Sequence, residues 1–344
     1  MIFPGLIFSP VFRYHPRDAG QIFLSAYVKY LFTVLAVLCA VGIPQACLSS
    51  DLFIETGPEV RYTAGDSTYH ISFDEPWALG GHGESELEFP IDNVMAGIKV
   101  IVGTKYGKNS RQSKGRLCLR LLGTIDKDAG IMKDSDWIEN DAAFGKAPHE
   151  GKDLYTESDA KLEGMLFDAI WSYHFSLGHN WGLGPMLGYR YQELQYQIYG
   201  YRGYYWTTPV YGEGKVLGYQ VIYKIPFIGL SSETLLGSKD QFFLSMGFGY
   251  SDWVEARDRD DHLLRSKLSE AECDGAAYLL NLNLDWRFYP RWVLGVGAEY
   301  VDIDTSGKQH QGFYGGLSVG ITYEVDDIIT ASYWSGIIRI LYQF

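Results

Sequence analysis

Two short stretches hold the side chains best suited to chemistry: Asp134-Ser135-Asp136-Trp137 and Asp258-Arg259-Asp260-Asp261-His262, about 120 residues apart. On an extended chain, residues i and i+2 project to the same side. Asp134 can therefore act with Asp136, and Asp258 with Asp260 and His262. Two neighbouring carboxylates tend to share a proton, which raises the pKa of one of them. An aspartate beside a histidine orients the imidazole and stabilises its charged form. If the two stretches meet, they supply a base, an acid and a seat for a water molecule, with no need for a metal or a covalent nucleophile. Two other uses of the same residues stay open: solvated acidic loops, and coordination of zinc or calcium, although the spacing matches no recognised ligand pattern.

Each stretch follows a segment that reads as a membrane strand. Of 344 residues 15% are aromatic, including 26 Tyr and 9 Trp, and 39 are Gly. That excess fits an outer-membrane barrel, which wears aromatic girdles at both interfaces. Alternation with period 2 recurs along the chain. Met165, Phe167, Ala169, Trp171, Tyr173 and Phe175 share one face, with Asp168, Ser172 and His174 on the other. Phe242, Leu244, Met246, Phe248 and Tyr250 likewise alternate with small residues. Apolar-out, small-or-polar-in is the barrel pattern. The last seven residues, Ile338-Arg339-Ile340-Leu341-Tyr342-Gln343-Phe344, repeat it and end on Phe.

Strands are expected near 51–63, 84–104, 115–128, 159–177, 181–200, 215–232, 240–256, 263–289, 291–305 and 329–344. The fold class is all-β: an antiparallel transmembrane β-barrel of ten strands with long extracellular loops. Gly312–Val325 also reads as a strand, and twelve strands is the alternative count. With both termini periplasmic, Asp134 and Asp136 lie in the segment after the third strand and Asp258–His262 in the loop after the seventh. Both then reach the extracellular end. Carried straight through, the alternation of Phe242–Tyr250 would turn Asp258, Asp260 and His262 toward lipid. A bulge or loop before Asp258 is therefore expected.

Upstream, Tyr30–Ile43 is an apolar run of 14 residues, preceded by Lys29 and followed by Pro44-Gln45-Ala46. It is too short to span a bilayer as a helix and reads as a secretory signal peptide. Residues 1–46 are accordingly an N-terminal extension and signal peptide, with Val28 as the true start, and 47–344 form a single barrel. Cys47 after Ala46 hints at a lipoprotein cleavage site, which Pro44 and Gln45 fit poorly. Cys118 and Cys273 could pair in an oxidising compartment or stand as isolated small apolar residues. The formal charge is −13, and residues 1–46 hold Arg13, Arg17, Lys29 and Asp18, leaving −15 on the remainder. Such a surface disfavours nucleic acid and steers in cationic substrates.

Several stretches, taken in order, resemble the omptin family of outer-membrane endopeptidases. They are Asp134-Ser135-Asp136-Trp137, Gly218-Tyr219, Lys224-Ile225-Pro226-Phe227-Ile228-Gly229-Leu230, Tyr250-Ser251-Asp252-Trp253-Val254-Glu255, Asp258–His262 and Arg265-Ser266-Lys267. The resemblance implies a ten-stranded barrel that cuts peptides beside basic residues with a water held between two catalytic pairs. Asp134 and Asp136 match one pair and Asp260 with His262 the other. Asp258 matches the acidic floor of the pocket for the basic residue before the cut, with Glu59 as its partner on the first strand. Glu157 matches the acidic contact for the residue after the cut. No cofactor is implied; lipopolysaccharide activates family members through basic residues on the barrel exterior. In Tyr191-Gln192-Glu193-Leu194-Gln195, however, Gln195 stands where an Arg is usual, and Ile222 stands where a second is expected. Both departures count against lipopolysaccharide dependence. The implied partners are cationic peptides or proteins and outer-membrane lipid.

Two rival functions remain. One is a non-enzymatic barrel, an adhesin, receptor or porin whose acidic rim binds cationic peptides. The other is a lipid-modifying barrel enzyme using a Ser–His arrangement, for which Ser172 and His174 are the nearest residues.

Overall fold

The structure, a computed structural model, describes residues 52–75, 81–105, 113–138, 151–177, 180–237 and 241–344. The expected signal peptide, the Val28 start and Cys47 lie outside the described residues. Ten strands follow one another: β1 (Leu52–Glu75), β2 (Gly81–Pro90 and Asn93–Lys105), β3 (Ser113–Asp126 and Asp128–Ile138), β4 (Leu154–Tyr173, continued by Phe175–Ser176), β5 (Trp181–Tyr205), β6 (Thr208–Leu236), β7 (Phe242–His262), β8 (Lys267–Tyr289), β9 (Trp292–Phe313) and β10 (Thr322–Gln343). Each pairs antiparallel with the next, and β10 pairs with β1, so the ring closes and no edge is left unpaired.

The strands are much longer than a bilayer requires. A membrane strand needs about 9–11 residues, whereas β6 has 29 and β5 has 25. The surplus rises above the end opposite the strand termini Leu52 and Gln343, called the upper end below. This length corrects the expected loops. Asp134 and Asp136 stand within β3, and Asp258–His262 within β7, because neighbours of equal length supply backbone partners that far up. Gly312–Val325 is not an additional strand. It comprises the end of β9, a short 3₁₀ turn at Gly316–Ser318 and the start of β10.

β10 shows why these residues make a barrel wall. Ser335, Ile337, Arg339 and Leu341 are buried inside, while Trp334, Ile338 and Ile340 are exposed outside. Trp334 stacks near Tyr300 at 4.5 Å in an upper girdle, and Tyr342 meets Trp292 and Phe344 in a lower one. Eight residues of tilted strand separate the girdles on β10, on the order of 20–25 Å, the height of an outer-membrane apolar band. Just above the upper girdle β1 carries Gly65, whose φ of +151° suits glycine. A Cβ there would come within 2.2 Å of the Ser332 carbonyl oxygen. Just there the Gly65 carbonyl accepts from the Ile91 N–H at 2.7 Å, at the break between the two halves of β2.

Two layers fill the barrel interior. The lower is an ion-pair network at membrane depth: Arg61 on Glu299 (2.6 Å), Arg120 on Glu59 and Asp168 (both 2.7 Å), and Arg190 on Asp168 and Glu299 (both 2.8 Å). The upper is an aromatic plate in which Phe89 and Tyr219 stack at 4.1 Å, with Tyr69 and Tyr196 against them. Buried charges persist only when paired, and here the pairing welds β1, β3, β4, β5 and β9 across the interior.

Candidate active site

β7 carries the structural answer to the alternation problem. Below Tyr250 its exposed residues are Phe242, Met246 and Phe248. Above, Val254, Ala256, Asp258, Asp260 and His262 are all buried. The faces exchange at a β-bulge between Ser251 and Val254, where Asp252 and Trp253 are exposed in succession. The Ser251 hydroxyl donates to the Pro226 carbonyl at 2.5 Å and accepts from the Trp253 N–H at 3.2 Å, so it occupies backbone groups that the broken ladder leaves over. Pro226, which has no N–H to offer a ladder, faces this irregular stretch.

At the top of β7, Asp260 is fully buried. Its Oδ2 accepts from the Tyr69 hydroxyl at 2.7 Å and lies 3.4 Å from Nε2 of His262. Tyr69 comes from β1, so this bond crosses the interior. Arg265, in the turn joining β7 to β8, reaches back over the opening and sets Nη2 3.5 Å from Oδ2 of Asp136 on β3. Strands β3 and β7 stand on opposite walls of the ring. The two stretches singled out at the start thus face one groove, tied by one bond through its floor and one across its mouth. Lys267, cross-strand partner of His262, is buried beside them and donates to Gln311 at 3.0 Å.

This environment shifts Asp134, Asp260 and His262. Burial, then the charge of Asp136 and more weakly that of Asp260, lifts Asp134 to about 7, against an opposing pull from Arg265. Burial lifts Asp260 to about 6, restrained by Lys267 and the Tyr69 hydrogen bond. Burial holds His262 well below the ordinary imidazole value, and the cations Lys267 and Arg265 push it further the same way. An ionised Asp260 at 3.4 Å pulls in the opposite direction, but two cations and full burial outweigh one partner that itself titrates near 6. Near neutral pH this favours a neutral imidazole beside an ionised Asp260, across from an Asp134 carboxyl lifted to about 7. Such a set has the protonation states that a general base with an orienting carboxylate, and an acid opposite, would require.

Asp258 lies two residues below Asp260, its Oδ1 accepting from the Ala271 N–H at 3.0 Å. Two other expected site residues are not brought here. Glu59 sits ten residues along β1 from Tyr69, inside the ion-pair network, and is fully buried against Arg120 and Lys99. It cannot partner Asp258. Glu157 alternates with the inward Thr156 and Ser158, so it faces outward, and it pairs with Arg202 at 3.4 Å. On the exterior, Glu193 accepts from Gln195 at 2.6 Å and Gln220 at 2.7 Å, with Ile222 opposite it. Cys118 and Cys273 are both free thiols. Ser172 and His174 do not pair with each other; His174 bonds Ser231 at 2.9 Å near the lower end. Among the described residues no group of three or more His, Cys, Asp or Glu side chains is placed to hold a metal ion.

Sequence reasoning missed Tyr69, Lys267 and Arg265. The only local signal was Arg265-Ser266-Lys267 directly after the Asp–His pair, two cations within five residues of a proposed base.

The Omptin family model matches residues 85–309, which include both acidic stretches. The chain belongs to the omptin family. It is similar to the plasminogen activator of Yersinia pestis, 25% identical over 74% of this chain and 77% of that protein. It also resembles the outer membrane protease OmpP of Escherichia coli, 28% identical over 41% of this chain and 45% of that protein. Among solved structures, the outer membrane protease OmpT of Escherichia coli superposes with a TM-score of 0.66 at 17% identity, covering 85% of this chain and 97% of that one. The omptin barrel is thus the fold of this chain.

Proposed function

We propose that this omptin is an endopeptidase of the bacterial outer membrane, with its groove on the extracellular side, that hydrolyses peptide bonds beside basic residues. Neutral His262 takes a proton from water as the water attacks the scissile carbonyl. Asp260 stabilises the imidazolium that forms. The protonated member of the Asp134/Asp136 pair donates a hydrogen bond to the developing oxyanion, a role open only to a carboxyl group kept neutral near pH 7. The imidazolium then returns its proton to the leaving amine. Asp258 attracts the basic side chain before the cut.

The observation that carries this reading is the groove itself: two acid-containing pairs on opposite walls, joined by the Tyr69–Asp260 and Arg265–Asp136 contacts. The aromatic plate and ion-pair network beneath it count against a porin. The outward orientation is supported by the long upper strands, which carry the groove well clear of the membrane band.

The test uses the refolded full-length barrel, with and without lipopolysaccharide, on a fluorogenic peptide containing Arg–Arg. Cleavage next to Arg, seen by mass spectrometry, is expected. His262→Ala and Asp134→Ala should each slow it by about 10²–10⁴-fold, the usual worth of a positioned acid or base. A peptide bound but left whole would establish a receptor-like barrel instead. Variants within about tenfold of the parent would remove these residues from the chemistry.

A further inference from the structure

The pocket beside the catalytic pair has a second acid, and it comes from the last strand rather than the first. Asp327 on β10 is 1% exposed and Asp258 on β7 is 6% exposed. Each holds one oxygen in place: Asp258 Oδ1 takes the Ala271 N–H, and Asp327 Oδ2 accepts from Gln309 Nε2 at 3.3 Å. The other oxygen of each, Asp258 Oδ2 and Asp327 Oδ1, is shielded from solvent and meets no charged donor; the Tyr219 hydroxyl beside Asp258 and the Ile328 N–H beside Asp327 are neutral. Among the described residues neither carboxylate has an Arg or Lys within ion-pair distance. Ala271, which bonds Asp258, is the cross-strand partner of Gln309, which bonds Asp327, so the two acids share one stretch of the wall; after burial, the charge of Asp327 is the strongest influence raising Asp258. Asp327 in turn is lifted to about 7, first by burial.

Buried carboxylates are costly unless a cation or a proton answers them. Lower in the barrel the buried acids Glu59, Asp168 and Glu299 each have an arginine, and Glu233 has His174. The pair Asp258/Asp327 lacks such a partner, and it lies on the inward face two residues below Asp260. A cation from outside the chain fits there, delivered on the side chain of a residue whose peptide bond lies at Asp260 and His262.

We propose that Asp327 is a specificity-determining residue: with Asp258 it forms a two-carboxylate pocket that selects a guanidinium or ammonium group on the residue before the cut. The inference rests on the peptidase reading above. Arg offers a planar fork able to reach both carboxylates at once, so Arg is favoured over Lys.

The experiment compares two fluorogenic peptides identical except for Arg or its neutral isostere citrulline before the scissile bond. For the parent barrel kcat/KM favours Arg. In Asp327→Asn the Arg-over-citrulline ratio falls by about tenfold or more, the scale of losing one member of a buried charge pair, while Asp327→Glu keeps it. An unchanged ratio in Asp327→Asn overturns the proposal. Folding is checked by heat-dependent gel mobility, and Asp327→Ser gives the same reading if Asn is not tolerated. A parallel arm measures anisotropy of the labelled peptides on the His262→Ala background. If the parent cuts neither peptide yet Asp327→Asn abolishes the Arg preference in binding, the pocket stands and the peptidase reading falls. If binding never distinguishes Arg from citrulline, the pocket falls as well.

Discussion

Tyr69→Phe isolates one hydrogen bond in the site. The ring remains, so the contacts with Tyr219 and Phe89 survive. What is lost is the hydroxyl that donates to Asp260 Oδ2 at 2.7 Å. A hydrogen bond to a charged group contributes about 1.5–3 kcal/mol, and one pKa unit corresponds to about 1.36 kcal/mol. The donor stabilises the ionised form, so its loss moves Asp260 upward from about 6 by roughly one to two units. The active state requires Asp260 ionised and the Asp134/Asp136 pair still holding its proton. kcat/KM is therefore bell-shaped, with an acid limb near 6 from Asp260 and an alkaline limb near 7 from Asp134. Below both limbs the rate scales with the ionised fraction of Asp260, and at pH 5 Tyr69→Phe should run about 10- to 100-fold slower. Above both limbs Asp260 is ionised in either protein, and by pH 9 the two rates should converge. Initial rates on the Arg–Arg peptide across pH 5–9, with the barrel held in one detergent, read this directly. A loss of equal size at every pH would refute the reasoning, because it would mean that Tyr69 acts through packing rather than through the charge of Asp260.

Arg265→Gln removes the cation that pulls Asp134 down, so the pair should keep its proton to higher pH. The alkaline limb of the same profile then moves up, and a limb that moves down or stays fixed would contradict the assignment of that limb to Asp134. Glu59→Gln leaves Arg120 and Lys99 without their shared carboxylate at membrane depth. Breaking a buried pair in this way costs on the order of 3–5 kcal/mol, to be read as a lower urea midpoint in micelles. The Arg-over-citrulline ratio should not move, since Glu59 lies outside the pocket.

Much of the site was legible because its logic is local. The spacing of Asp134 with Asp136, and of Asp260 with His262, needs only the two-residue repeat of an extended chain. The same repeat also revealed a contradiction. Phe248 and Tyr250 cannot face lipid while Asp258 faces the interior unless the strand gains a residue between them, and the structure has its bulge there, at Ser251–Val254. The length of the strands was less visible. Alternation weakens above the membrane, where the exterior is wet and residues such as Arg257, Arg259 and Glu270 replace the apolar face. Polar segments of that kind read as loops, although their backbones pair as fully as those below.

Tyr69 and Asp327 were invisible for a different reason: each stands on a strand to which no local pattern connects it, whereas Lys267 at least follows closely on the Asp–His pair. The contrast between Glu59 and Asp327 shows what is missing. Each is an acid on the inward face of its strand, and sequence gives no height for either. The ring supplies it. Glu59 pairs with Arg339 low in the barrel, whereas Asp327 pairs with Ile71, two residues above Tyr69 and thus level with the groove. Ten residues of strand between Glu59 and Tyr69 amount to roughly 33 Å, far beyond the reach of any side chain. Asp326 and Asp327 are adjacent acids, and only the inward burial of Val325, Asp327 and Ile329 tells which of them enters the pocket. Asp326 instead points outward to Lys308 at 2.5 Å. On the proposed reading, the specificity of the groove depends on shear and closure, which fix the heights of β1, β7 and β10 relative to one another. Altering the register of the β10–β1 seam by two residues would keep Asp327 facing inward while moving it about 7 Å along the wall. Such a shift should abolish the Arg preference while leaving the Asp260–His262 pair on β7 in place.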